Sequence, residues 1–176
     1  DLDLEPGALN TDLPVSGIVE GIRRLGGARL CLHGPPGTGK TRYAYELAAA
    51  LDRELVIRQA QDLLGPYVGQ SEARVADAFR SAEELGAVLL IDEVDSVLSD
   101  RSGHDTQWQS VLVNQFLTSL EGFRGVLVAT TNRVETLDPA AARRFDAKIQ
   151  FSPPDTEGLR ALLRSACRRN GRDCQP

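Results

Sequence analysis

The fold is decided by residues 34–41, which read Gly-Pro-Pro-Gly-Thr-Gly-Lys-Thr. This stretch has the pattern G-x-x-x-x-G-K-[ST] and lies between an apolar run at 29–32 and a helical pattern at 40–51. Glycines let the backbone wrap closely, so that successive N–H groups and the N-terminus of the following helix face an anion. The stretch therefore predicts a phosphate-binding loop.

Each position of the loop has a predicted role in binding ATP and Mg²⁺. Lys40 is expected to reach the β- and γ-phosphates, and the hydroxyl of Thr41 is expected to ligate Mg²⁺. The predicted nucleotide contacts from this loop are Pro36, Gly37, Thr38, Gly39, Lys40 and Thr41.

Outward from the loop, strand patterns alternate with helical patterns. Strands are predicted at 29–32, 55–57, 88–91, 126–129 and 148–151, and helices at 16–25, 40–51, 71–85 and 107–120. The run 88–91 has no polar residue, as expected of a strand that is buried on both faces. This alternation predicts an α/β fold, a five-stranded parallel sheet flanked by helices, with ligand sites at the carboxyl ends of the strands.

Helical periodicity also predicts which side chains face the core. In the helix at 40–51 the predicted buried residues are Tyr43, Leu47, Ala50 and Leu51. In the helix at 107–120 the periodic set is Trp108, Val111, Leu112 and Phe116.

Two carboxylates follow the buried strand at 88–91. Asp92 is predicted to hold Mg²⁺, either directly or through water, and Glu93 is predicted to polarise the attacking water as the hydrolytic base. The strand at 126–129 leads to Asn132, whose amide could bond the attacking water or the γ-phosphate. An acidic turn or an Asn at a strand end is common by itself, so these predictions depend on the nearby phosphate loop.

Composition excludes several classes of protein. The 176 residues include 20 Lys and Arg against 25 Asp and Glu, a net charge of −5 that argues against non-specific nucleic-acid binding. No apolar run is long enough to cross a membrane, so no membrane partner is predicted. The three cysteines, Cys31, Cys167 and Cys174, are widely spaced and are interpreted as reduced thiols of a cytoplasmic protein.

Six motifs in one order resemble the AAA+ ATPases, and within them the AAA family of protein-remodelling and proteolytic machines. The motifs are GPPGTGKT (34–41), PYVGQSEARVADAF (66–79), LLIDEVDSVLSDR (89–101), LTSLEGF (117–123), VLVATTN (126–132) and LDPAAARRFDAKI (137–149). The resemblance covers roughly residues 17–165. It implies a P-loop NTPase fold, ATP hydrolysis, and a homo-oligomeric ring, a hexamer in the full-length protein, that acts on a protein or peptide substrate.

The resemblance also implies roles for further residues. Arg143 and Arg144 match paired arginine fingers that complete the nucleotide site of a neighbouring subunit, and the pairing leaves open which of them acts. Residues 121–123, Glu-Gly-Phe, match an element that signals between subunits. Tyr67, Val68 and Gly69 match a loop that lines the central pore and grips a polypeptide. Asn132 matches the polar sensor of the family.

The chain is expected to divide into an extended lead-in at 1–16, the AAA+ core α/β subdomain at 17–155, and one helix with a tail at 156–176. The last of these segments matches only the start of the small helical lid of the family, so the lid is expected to be largely missing and hydrolysis to be weak in the isolated fragment.

Two other functions stay open on the sequence alone. A nucleic-acid motor or clamp-loading ATPase would share the phosphate motifs, and DNA-stimulated turnover would favour it. A nucleotide-gated interaction module would bind ATP with little turnover.

Overall fold

A computed structural model describes residues 9–65, 69–98, 107–156 and 158–160. Its strands are β1 (Ala28–His33), β2 (Leu55–Gln59), β3 (Val88–Asp92), β4 (Val126–Thr131) and β5 (Ala147–Gln150). Its helices are α1 (Val15–Leu25), α2 (Lys40–Leu51), α3 (Gln70–Leu85), α4 (Asp95–Leu98), α5 (Gln107–Gly122) and α6 (Pro139–Ala142). Two 3₁₀ turns, Ala60–Leu63 and Val134–Thr136, lie between them.

The five strands form one parallel sheet in the order β2-β3-β4-β1-β5. This confirms the predicted five-stranded parallel sheet flanked by helices. The central strands β3, β4 and β1 are mainly apolar because helices cover both faces of the sheet. Alternate residues of one strand therefore enter different cores: Leu89 and Ile91 pack with α3 and α5, whereas Val88 and Leu90 pack with α1 and α2.

Two side chains that periodicity placed in the core are exposed. Ala50 lies on the solvent side of α2, where its carbonyl accepts a hydrogen bond from Arg23. Val111 is 47% exposed, because the buried side of α5 is formed by Leu112, Val113, Phe116, Leu117 and Leu120. Tyr43 and Leu47 are buried as predicted, and the side chain of Trp108 lies outside the described residues.

The thiol of Cys31 is buried in the core and forms no disulfide with any described residue. Burial raises its pKa to about 12, so the group stays protonated at neutral pH. That all three thiols are reduced stays a prediction, because Cys167 and Cys174 lie outside the described residues. Within the described ranges, no helix is long and apolar enough to span a bilayer.

The segment before α1 is bound along the edge of the sheet. Thr11 forms an antiparallel bridge with Phe151, just beyond β5, and the carbonyl of Asn10 accepts a hydrogen bond from Ser152. The hydroxyl of Tyr43 in α2 donates to the carbonyl of Leu13 at 3.2 Å. These contacts attach the segment to both β5 and α2.

An ion pair between Arg29 and Asp146 joins β1 to the start of β5. The guanidinium donates to both carboxylate oxygens, with Nη2 at 2.8 Å from Oδ1 and Nε at 3.0 Å from Oδ2, and the backbone N–H of Arg29 also donates to Oδ2. These bonds lower the pKa of Asp146 below its ordinary value. The paired carboxylate thus stabilises the fold above the unfolded-state pKa, and that contribution is lost as the pH falls through the folded-state pKa.

We predict that Asp146→Asn lowers the free energy of unfolding at pH 7, and that its difference from wild type shrinks as the pH falls below about 4. Urea titrations at a series of pH values measure this difference. Asp77→Asn is the control, because its pair with Arg80 lies on an exposed helix face and should contribute little. If the difference in unfolding free energy between Asp146→Asn and wild type does not change with pH, the ionised carboxylate of Asp146 is not the source of the stabilisation.

Candidate functional site

The loop 34–39 connects β1 to α2, and its backbone adopts angles that glycine tolerates better than other residues do. Gly37 and Gly39 adopt φ of 76° and 94°, in the left-handed region. A Cβ on Gly34 would lie 2.1 Å from the carbonyl oxygen of Phe151. The loop passes so close to the end of β5 that only glycine fits at position 34. Pro36 and Gly37 lie at the exposed tip of the loop, while Thr38 is buried and donates to the carbonyl of Pro35 at 2.8 Å.

Lys40 is the first residue of α2 and is buried, with 8% of its surface exposed. Its ammonium donates three hydrogen bonds: to the carbonyls of Gly34 at 2.7 Å and Pro35 at 2.8 Å, and to Oδ1 of Asn132 at 2.8 Å. Burial lowers the pKa of Lys40, and the nearby carboxylates oppose that effect. The structure thus brings together the predicted phosphate-binding lysine and the predicted polar sensor.

The carboxylate of Asp92, at the end of β3, is held from both neighbouring strands. The hydroxyl of Thr130 in β4 donates to its Oδ1, and Nε2 of Gln59 in β2 donates to its Oδ2 at 3.3 Å. Because β3 lies between β2 and β4, both donors reach Asp92 from adjacent carboxyl ends.

Glu93 has a backbone conformation that is unusual for a residue with a side chain. Its φ is 58°, in the left-handed region, which costs about 1–2 kcal/mol for an L-residue other than glycine. Hydrogen bonds hold the turn: its N–H donates to the hydroxyl of Thr130 at 3.0 Å, and its carbonyl accepts from the hydroxyl of Ser96 at 2.9 Å. A strained residue that its surroundings hold in place is typical of a functional site.

The oxygen ligands at this edge of the sheet suit a Mg²⁺ ion. Oδ1 of Asp95 is buried and has no hydrogen-bond partner among the described residues, so it has capacity to accept from water or face a cation. The hydroxyl of Thr41, in the first turn of α2, and the carboxylate of Asp92 are also hard oxygen donors.

A Mg²⁺ ion at this edge would share its coordination with the nucleotide. In the part of the chain that the structure describes, no group of three or more His, Cys, Asp or Glu could hold a metal ion. Phosphate oxygens and water are the ligands that Mg²⁺ commonly keeps in nucleotide sites, beside one or two protein oxygens.

The two candidate arginine fingers differ in their surroundings. Arg144 is bound within its own chain: Nη2 lies 2.5 Å from Oε1 of Glu121 at the end of α5, and Nη1 donates to the carbonyl of Ala140 at 2.7 Å. Arg143 is exposed, and its guanidinium has no hydrogen bond or ion pair with any residue that the structure describes.

The predicted pore loop lies almost wholly outside the described residues. Tyr67 and Val68 belong to that undescribed part, and Gly69 directly precedes α3 with φ of 83°. The role of these three residues stays a prediction.

Sequence reasoning missed Thr130 and Gln59. Thr130 stands two residues before Asn132, so that the parallel-sheet prediction could have placed it beside the end of β3. Gln59 could be found only from the register that pairs it with Asp92, and the sequence does not state that register.

A parallel sheet with a glycine-rich loop after β1, a buried lysine at the start of α2 and acidic residues after β3 defines a P-loop nucleotide-binding protein. The family model "ATPase family associated with various cellular activities (AAA)" matches residues 30–153. The chain therefore belongs to the AAA family, as its motifs suggested.

Three relatives show the extent of the similarity. The Cell division cycle protein 48 homolog of Archaeoglobus fulgidus is 35% identical over 139 residues, which is 75% of this chain and 19% of the relative. Spastin of Anopheles gambiae is 37% identical over 150 residues, 81% of this chain and 18% of the relative. The ATP-dependent zinc metalloprotease FtsH of Mycobacterium tuberculosis is 38% identical over 145 residues, which is 76% of this chain and 19% of the relative. The chain thus spans about a fifth of the length of these relatives.

Proposed function

We propose that this chain is the Mg²⁺-dependent, ATP-hydrolysing core of a ring-forming protein that remodels, unfolds or translocates protein substrates. Membership of an ATPase family implies ATP hydrolysis as the general activity. The observation that carries the proposal for this chain is the contact between Lys40 and Asn132, beside the carboxylates that follow β3. The FtsH relative is an ATP-dependent zinc metalloprotease, a name that joins ATP dependence to protein cleavage in that protein and favours a protein substrate here.

The chemistry follows from the groups at the edge of the sheet. The N–H groups of the loop 34–39 and of the first turn of α2 would bind the phosphates, and the Lys40 ammonium would exchange carbonyl acceptors for phosphate oxygens. The oxygen of a water molecule attacks the γ-phosphorus, its proton passes to the Glu93 carboxylate, and the bond to the ADP oxygen breaks. Thr41 and Asp92 would hold Mg²⁺, which would supply charge neutralisation at the phosphates.

We also propose that Arg143, rather than Arg144, is the arginine that completes the site of a neighbouring subunit. An arginine finger needs a guanidinium that is free to leave its own chain, and Arg143 is exposed. Arg144 is instead engaged by Glu121 and Ala140, so its proposed role is to hold α6 against the end of α5. A homo-oligomeric ring, a hexamer in the full-length protein, and a cytoplasmic location complete the proposal.

We expect Glu93→Gln to abolish ATP turnover while ATP affinity stays close to that of wild type, because the amide cannot accept the proton but leaves the phosphate loop intact. Phosphate release measures turnover, and a fluorescent ATP analogue measures affinity. Glu84→Gln is the matched control, since Glu84 is exposed on α3 and 4.0 Å from Arg80. Equal turnover of Glu93→Gln and wild type would contradict the proposal, and stimulation by DNA would favour a nucleic-acid motor instead.

Arg143→Ala should lower turnover by about 10³-fold or more, as expected for loss of an arginine finger, at unchanged ATP affinity. Arg144→Ala should mainly lower the unfolding midpoint. Mixing inactive Arg143→Ala subunits with inactive Glu93→Gln subunits should restore turnover, because an intact Arg143 then faces an intact Glu93 across an interface. No recovery on mixing, with both variants folded and assembled, would contradict completion of the site between subunits.

A further inference from the structure

One hydroxyl contacts both acidic residues of the site. Thr130 is the penultimate residue of β4 and only 1% of its surface is exposed. Its Oγ1 donates to Oδ1 of Asp92 and accepts from the backbone N–H of Glu93 at 3.0 Å. A hydroxyl can donate and accept at the same time, whereas an isosteric valine can do neither.

The contact to Asp92 fixes how the carboxylate lies. Thr130 engages Oδ1 from the β4 side while Gln59 engages Oδ2 from the β2 side, so the carboxylate is held between the two strands that flank β3. Each carboxylate oxygen has further lone pairs, so Asp92 can still bind a cation or its water. A carboxylate oriented in this way needs no reorganisation when a ligand arrives.

The contact to Glu93 supports a backbone turn that would otherwise be unfavourable. The φ of 58° directs the chain from β3 into α4, and the Thr130 hydroxyl accepts the N–H of the strained residue. Ser96 holds the carbonyl of Glu93 from the other side, through both its hydroxyl and its N–H. Without the Thr130 hydroxyl, the N–H of Glu93 loses this hydrogen-bond partner and the turn loses one of its supports.

We propose that Thr130 is a positioning residue for hydrolysis: its hydroxyl sets at once the orientation of the Asp92 carboxylate and the turn that carries Glu93. The proposal rests on the proposed ATPase function of this site. It extends that function to Thr130, which lies outside the phosphate loop and is not one of the two acidic residues. Asp92 and Glu93 both depend on its hydroxyl.

The test compares Thr130→Val, which keeps the shape but removes the hydroxyl, with Thr130→Ser, which keeps the hydroxyl. We expect Thr130→Val to lower kcat by about 10- to 100-fold, the usual effect of removing a group that orients a ligand of the metal. Thr130→Ser should restore most of the loss. Thr118→Val is the control, since the Thr118 hydroxyl lies on α5 and donates to the carbonyl of Asn114.

A binding measurement provides a readout other than turnover. A fluorescent ATP analogue is titrated with and without Mg²⁺, and the gain in affinity that Mg²⁺ gives should be smaller in Thr130→Val than in Thr130→Ser or wild type. Affinity without Mg²⁺ should be the same in all three. Unfolding midpoints identify any variant that does not fold, and Thr130→Ala, which fits the same space, then replaces Thr130→Val in both assays.

The outcomes separate this inference from the proposed function. If Glu93→Gln is inactive while Thr130→Val equals wild type in kcat and in its response to Mg²⁺, the inference is wrong and the proposed function stands. Equal impairment of Thr130→Val and Thr130→Ser would also overturn it, since the loss would then not depend on whether the hydroxyl is present. If Glu93→Gln retains full turnover, the proposed function itself fails.

Discussion

The geometry of the candidate nucleotide site depends on Lys40, whose buried ammonium group needs hydrogen-bond acceptors. A lysine ammonium removed from water is costly unless its protons are bonded, and Lys40 bonds to two carbonyls of its own loop and to Asn132. These bonds join the loop after β1 to the end of β4. The loop is thus held in shape by the residue that is proposed to bind phosphate, and phosphate oxygens would be stronger acceptors because they carry charge.

The order of the strands explains how distant residues meet. β1 lies between β4 and β5, so that Asn132 and Phe151 both lie beside the loop that begins at Gly34. β3 lies between β2 and β4, which brings Gln59 and Thr130 to the carboxylate of Asp92. All of these contacts occur at one edge because parallel strands end together.

Much of the fold could be predicted from local pattern. The helix α2 has the predicted bounds, and the strand at 88–91 was recognisable from its unbroken apolar run because both faces of the sheet are covered. The exposed Val111 shows the limit of that reasoning, since an apolar residue beside the buried stripe of a helix satisfies the pattern equally well.

Residues of the candidate site could be predicted only where they lie within a recognisable sequence motif. The phosphate loop, Asp92, Glu93 and Asn132 lie together at the edge that was predicted. The roles inferred for Thr130 and Arg144 come from contacts between residues that are far apart in the chain, such as Arg144 with Glu121. Such contacts depend on strand order and register, which one sequence does not specify.

The central claim is that Lys40 exchanges its carbonyl acceptors for the phosphates of ATP. The chain has only one other lysine, Lys148, which is exposed on β5 and provides a matched control. The most direct measurement is the affinity of a fluorescent ATP analogue for wild type, Lys40→Ala and Lys148→Ala, with folding verified by thermal denaturation. Loss of binding in folded Lys40→Ala and unchanged binding in Lys148→Ala is the predicted result; equal affinity in all three proteins would contradict the account.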